Sequence, residues 1–276
     1  MIQKITQQLN IQKFQVENTI ALLNEGATIP FIARYRKERT GQLDEVQIKD
    51  IRDLLEQFTS LEKRKKSILE SLAENDFLND ELHEKITKTD SLSDLEDLYL
   101  PYKPKRKTRA SIAIEKGLEP LAKILMAQNC VNIKSEAKRF IQASKDVKTI
   151  DEALQGAMDI ASEWISENVS MRRRMRILFE KDGQISSKVI KTKTELAQKF
   201  EMYFDWAESI RSIPSHRLLA ILRGQNEGFL KVHIQPDQER ALEILERYFI
   251  KASSTTKNYL QKTIKDCYVR LLKPSM

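Results

Sequence analysis

A chain of 276 residues with 41% apolar content has enough greasy side chain to bury one large or two modest cores, which excludes disorder along its whole length. Only seven Gly and seven Pro punctuate it, so long helices with short joints are favoured over turn-rich strands. Lys and Arg outnumber Asp and Glu by 47 to 40, a net charge of +7 that permits a polyanionic partner while the many acids dilute it.

In chain order, Phe14, Ile20, Leu22 and Leu23 mark a first short helix that Gly26 terminates in a left-handed conformation. Thr28-Ile29-Pro30 is read as a backbone break. Apolar positions Val46, Ile48, Ile51, Leu54, Leu55, Phe58, Leu61, Ile68, Leu69 and Leu72 then keep a period near 3.5 over roughly four heptads, which predicts one long amphipathic helix. Lys65 falls in that seam and argues for packing within the domain rather than a coiled-coil homodimer. The interruption Glu74-Asn-Asp-Phe-Leu-Asn79 sets a domain boundary near residue 75, giving a helical N-terminal unit over 1–75 and a helical region over 76–276.

Further along, Ser93 and Glu96 have capping-box spacing, as do Thr149 and Glu152. The helix after Thr149 carries Leu154, Ala157, Met158, Ala161, Trp164 and Ile165 on one face. Partial alternation over 183–190 and clearer alternation over 228–234 predict a small β pair. Two helices close the chain, over 237–250 with Leu242, Leu245 and Phe249 inward, and over 256–272 with Leu260, Ile264, Cys267 and Leu271 inward, the last stopped by Lys273-Pro274. The expected fold is mainly α: multi-helical, with a long amphipathic helix and at most a small β ribbon.

Two proline-punctuated basic segments carry the candidate chemistry. In Gly26-Ala-Thr-Ile-Pro-Phe-Ile-Ala-Arg-Tyr-Arg-Lys-Glu-Arg-Thr-Gly41, the cations Arg34, Arg36, Lys37 and Arg39 surround Tyr35, a mixture that grips a phosphate backbone. A structural reading stands beside it, in which Pro30, Phe31 and Ile32 insert into the core and the neighbouring arginines pair with a helix acid or, as for the guanidinium groups of Arg34 and Arg36, satisfy buried carbonyls. In Asp97-Leu-Tyr-Leu-Pro-Tyr-Lys-Pro-Lys-Arg-Lys-Thr-Arg109, the cations Lys103, Lys105, Arg106, Lys107 and Arg109 fall within seven residues without an acid. Pro101 and Pro104 are expected to hold that stretch extended, with Tyr99 and Tyr102 flanking it. It reads either as a polyanion contact or as a solvated connector. The helical runs over 63–66 and 172–176 point in several directions at once and read as solvated faces.

His83, His216 and His233 lack partners at metal-ligand spacing, and His216 reads as part of a helix start capped by Ser215. There is no Walker lysine, no G-x-G-x-x-G and no G-x-S-x-G elbow, so no enzyme, cofactor or metal is expected. Cys130 and Cys267 lie far apart, no signal peptide opens the sequence, and no stretch approaches about 20 apolar residues; the expected setting is the cytoplasm, away from membranes.

Both segments, together with Tyr203-Phe-Asp-Trp-Ala-Glu-Ser-Ile-Arg-Ser-Ile-Pro-Ser-His-Arg217 and the following Leu218-Leu-Ala-Ile-Leu-Arg-Gly224, resemble the N-terminal region of the Tex family of bacterial transcription accessory proteins, in order along nearly the whole chain. Members of that family continue into a ribonuclease-H-like domain, a helix-hairpin-helix pair and an OB-fold RNA-binding domain, none of which is found in this sequence. The resemblance implies an N-terminal, non-catalytic helical scaffold with a helix-turn-helix-like unit within residues 1–75; it places the family's main RNA-binding element in the OB-fold domain, so the weak, sequence-nonspecific binding of RNA or DNA expected of this chain rests on its basic segments. The alternative is a protein-interaction module that docks the transcription machinery or the rest of the full-length protein.

Overall fold

The computed structural model describes residues 1–104, 106–130, 132–251 and 256–276. Helix dominates it, as the recurring helical period requires: sixteen helices and one small antiparallel sheet occur among the described residues. The chain forms two compact units, Met1–Tyr102 and Lys103–Met276. No helix among the described residues is long and apolar enough to cross a membrane.

The first unit contains α1 (Ile2–Leu9), α2 (Lys13–Asn24), α3 (Ile29–Tyr35), α4 (Lys37–Thr40), α5 (Glu45–Glu74), α6 (Asp80–Lys88) and α7 (Leu92–Tyr99), followed by a single 3₁₀ turn over Leu100–Tyr102. Helix α1 has no counterpart in the sequence reading, because three apolar residues in eight are too few to establish a period. Gly26, at φ 84°, ends α2 as expected, and the Ala27 N–H reaches back to the Leu22 carbonyl at 3.1 Å. Pro30 does not break the backbone. It sits in the first turn of α3, where a missing N–H costs no intrahelical bond.

The 30 residues of α5 span about 45 Å and serve two cores in succession. Its N-terminal half packs Ile48 and Ile51 with Ile5, Val16, Leu22 and Ile32, and its C-terminal half packs Leu61, Ile68 and Leu72 with Leu82, Ile86, Leu95 and Tyr99. Lys65 lies in the seam at 5% exposure, its ammonium donating to the Thr87 carbonyl at 2.9 Å and to Glu62 Oε1 at 3.1 Å. The cap of α7 is Ser91 rather than Ser93: the Ser91 hydroxyl accepts from the Asp94 N–H at 3.3 Å.

In the second unit, α8 (Arg109–Glu115), α9 (Glu119–Ala127) and α10 (Ile133–Lys138) pack against α11 (Ile150–Ser166). The Thr149 capping box is formed, with Thr149 Oγ1 accepting from the Glu152 N–H at 3.1 Å and Glu152 Oε2 from the Thr149 N–H at 3.3 Å. Ala153, Ala157, Ala161 and Gly156 make α11 slim enough for close approach; a Cβ at Gly156 would lie 2.3 Å from Leu118 Cδ1. There follow α12 (Val169–Asp182), β1 (Gln184–Val189), β2 (Asp205–Ser209), α13 (Ser215–Asn226), β3 (Leu230–Gln235) and α14 (Gln238–Phe249). The strands form one sheet in the order β2-β1-β3, with Ser187 opposite both Trp206 and Val232. The expected pair is therefore a triplet. Strand β2 is a five-residue edge with no fully buried side chain, so it shows no apolar alternation.

The chain closes with α15 (Lys257–Cys267), a π-helical turn over Tyr268–Leu272 and α16 (Lys273–Ser275). That turn, in which the Lys273 N–H bonds to the Tyr268 carbonyl, adds one residue to the helical repeat. Its consequence is a phase shift: Tyr268 and Leu272 face inward, and Leu271 does not share their burial. For the same reason Lys273-Pro274 does not stop the helix, which runs on past the proline.

Candidate nucleic-acid interface

The first basic segment folds as two short helices, and their phase decides which side chains face water. With Pro30 in its first turn, α3 turns Ile32 and Ala33 into the core and leaves Phe31, Arg34 and Tyr35, spaced i, i+3 and i+4, on the outer side. At Arg36 (φ −126°, ψ 20°) the helix is interrupted, and the Arg36 carbonyl accepts from the Thr40 N–H at 3.1 Å and hydroxyl at 3.3 Å. Gly41, at φ 63°, ends α4, and a Cβ there would come within 2.9 Å of Gln15 Nε2 and Phe14 Cζ. Side chains from α2 pin this end: Gln15 Nε2 donates to the Gly41 carbonyl at 2.8 Å and Asn18 Nδ2 to the Arg39 carbonyl at 2.7 Å.

On the outside, Tyr35 is 68% and Phe31 39% exposed, their ring centroids 5.5 Å apart and tilted by 45°. The Arg36 guanidinium lies over the Phe31 ring at 5.2 Å, a cation–π contact. Arg34, Lys37 and Arg39 are exposed as well, Arg39 facing Glu25 at 3.8 Å. Beside Phe31 and Arg36 opens a cleft of about 410 Å³ lined also by Leu22, Glu25, Gly26 and Thr28. Two expectations are corrected. Pro30 and Phe31 are not core insertions, and Arg34 and Arg36 do not serve buried carbonyls; the Arg36 guanidinium reaches only the exposed Tyr35 carbonyl, at 3.5 Å.

The second basic segment is arranged differently. Pro101 lies in the 3₁₀ turn rather than in an extended stretch, and the flanking tyrosines turn inward. Tyr99 is 7% exposed with its hydroxyl 3.1 Å from Ser71 Oγ, and half-buried Tyr102 packs its ring 5.6 Å from Phe77. Lys103, Arg106, Lys107 and Arg109 are exposed, and Lys105 lies outside the described residues. Lys107 faces Glu115 at 3.8 Å. Arg109 opens α8, which Thr108 caps by accepting from the Ser111 N–H at 3.0 Å. Its charge also acts on two partly buried acids of the second unit. Burial raises the Asp159 carboxyl, with Gln155, Arg270 and Arg109 opposing the shift, whereas the Arg270 hydrogen bond lowers Asp266, with Arg109 contributing weakly.

Each helical basic run places one member inside. Lys65 fills the α5 seam, and Arg172, 8% exposed, donates to the Ser166 carbonyl and Ser275 Oγ, both at 3.2 Å. Consecutive helical residues span all directions, so a run of four or more must send at least one toward the core. In the third stretch that carries the resemblance, over residues 203–217, Trp206 is held between Tyr203, at 6.0 Å edge-on, and the Arg217 guanidinium, at 5.7 Å, which also donates to Glu208 at 2.6 Å. His216 is exposed in the first turn of α13, whose N-cap is Pro214 rather than Ser215.

Among the described residues, no three of His, Cys, Asp and Glu come together to hold a metal ion. Burial pushes the Cys267 thiol up to about 12, which leaves it un-ionised at neutral pH. Of the residues that sequence reasoning misplaced at this interface, Phe31 bears most on its surface. The signal that locates it is Pro30 read as a helix start, which fixes the phase of everything after it.

A family model described as Tex-like protein N-terminal domain matches residues 1–73, and one described as Tex central region-like matches residues 129–275. Among curated relatives, the uncharacterized protein YdcI of Bacillus subtilis is 41% identical over 277 residues, covering 99% of this chain and 38% of the relative. The transcriptional accessory protein Tex of Neisseria gonorrhoeae is 40% identical over 235 residues, covering 84% of this chain and 31% of the relative. A human S1 RNA-binding domain-containing protein is 28% identical over 246 residues, covering 85% and 24%. The chain thus spans between about a quarter and two-fifths of the length of these relatives. Matched over its N-terminal and central regions by these models and relatives, the chain belongs to the Tex family of transcription accessory proteins.

Proposed function

We propose that this chain is a non-catalytic helical scaffold of a Tex-like transcription accessory protein, acting in the cytoplasm and holding nucleic acid weakly and without sequence preference. Its helical unit over residues 1–75 carries the first basic segment, and its region over 76–276 carries the second. The observation behind this reading is that Arg34, Arg36, Lys37, Arg39, Lys103, Arg106, Lys107 and Arg109 are all exposed, their charges at the surface where phosphates can meet them rather than spent inside the fold. The names of the relatives, one a transcriptional accessory protein and one defined by an RNA-binding domain, support it.

The test is a fluorescence-anisotropy titration of a labelled single-stranded oligonucleotide in rising salt. If three to five phosphates are neutralised, log affinity falls against log salt with a slope of about −0.7 per contact. No binding at low salt overturns the reading. It would shift the weight to a protein-docking module, for which exposed Leu196, Met202 and Leu219 in the second unit provide apolar surface.

A further inference from the structure

We infer that Tyr35 is a stacking platform for an unpaired nucleobase, so that the first segment takes single-stranded nucleic acid in preference to duplex. The inference rests on the proposed nucleic-acid binding and assigns it a contact that cations alone do not supply.

Tyrosine at 68% exposure, on a helix face whose other aromatic is also exposed, leaves much of its ring unburied. Phe31 supports one side of that ring at 5.5 Å, and the Arg36 guanidinium covers Phe31, so Tyr35 offers the open aromatic surface and Phe31 the backing. Phosphates of a strand laid across it meet Arg34, Arg36, Lys37 and Arg39, four cations against the two carboxylates of Glu25 and Glu38. Glu25, the acid in the adjoining cleft, already faces Arg39. The cleft is open at its mouth, since no heavy atom lies within 4 Å of where a Cβ on Gly26 would sit. This combination of a ring on which a base can lie and cations that follow the backbone is how proteins grip single strands without reading sequence. A duplex keeps its bases stacked inside and reaches only the cations.

The experiment uses the chain with Tyr35→Ala, Tyr35→Phe and Lys37→Gln, titrated against fluorescein-labelled oligo(dT) and a hairpin duplex at several salt concentrations. Tyr35→Ala is expected to weaken oligo(dT) binding about tenfold, leaving the salt slope and duplex binding unchanged. Tyr35→Phe retains the affinity. Lys37→Gln lowers the single-strand slope by about 0.7, the signature of a lost phosphate contact. A Tyr35→Ala protein that stays folded and binds oligo(dT) like the parent, or that loses duplex and single-strand binding alike, overturns the stacking platform while the proposed function stands. A parent chain that binds neither probe at low salt overturns both.

Discussion

The two basic segments contain the same ingredients, cations, prolines and a pair of aromatic rings, and the fold disposes of them in opposite ways. Over residues 29–40 the rings face outward: Tyr35 is 68% exposed beside Phe31 and Arg36. Over residues 99–109 they face inward: Tyr99 is 7% exposed against Ser71, and of the exposed cations after it Lys107 faces Glu115 at 3.8 Å. Composition does not distinguish these outcomes. Helical phase does, because Pro30 in the first turn of α3 points Ile32 to the core, and with it Tyr35 to water, whereas Leu95 and Tyr99, four apart at the end of α7, share the buried face.

The sharpest way to break this contrast is to remove the anchor that sets the phase. Ile32→Ala, at a site with no exposure, is expected to cost about 2–5 kcal/mol in urea unfolding and to lose nucleic-acid binding with the fold. The corresponding anchor of the second segment is weaker. Thr108→Ala removes the α8 cap and is expected to cost about 1 kcal/mol, read from the same denaturation curve. Tyr99→Phe deletes only the hydroxyl facing Ser71, an expected loss of about 0.5–1.5 kcal/mol, while Tyr35→Phe leaves stability unchanged. A small effect is also expected for Arg34→Gln with Arg36→Gln: about 0.5 kcal/mol or less per substitution, because both side chains are exposed. A large drop in melting temperature for that pair would restore the structural reading of the first segment.

Much of the architecture was legible in the sequence because long periodic stretches average out local noise. The seam of α5 from Ile48 to Leu72, the Thr149 cap and the Gly26 stop are visible in the residues themselves. What was not legible depended on a single residue shifting a repeat or on a short element with no period. The π turn at Tyr268–Leu272 moves burial from Leu271 to Leu272, and nothing local announces it. Strand β2 is an edge with mixed polarity, identified only by its pairing with β1. At the candidate interface the exposure of the cations could be read from their density, but the direction of the rings could not, since Pro30 and Pro101 look alike until one is known to start an α-helix and the other to sit in a 3₁₀ turn.

The most direct test of the contrast is to remove the charges of each segment separately and follow oligo(dT) binding against salt. One variant carries Arg34→Gln, Arg36→Gln, Lys37→Gln and Arg39→Gln; the other carries Lys103→Gln, Arg106→Gln, Lys107→Gln and Arg109→Gln. Both are expected to stay folded by circular dichroism, and each lost phosphate contact to reduce the slope by about 0.7. The first variant should lose most of the single-strand affinity, because it strips the cations from around the exposed ring, while the second retains its preference for single strand over duplex. A first variant that binds oligo(dT) like the parent, or a second that alone abolishes the preference, would contradict the assignment of the aromatic face to the first segment.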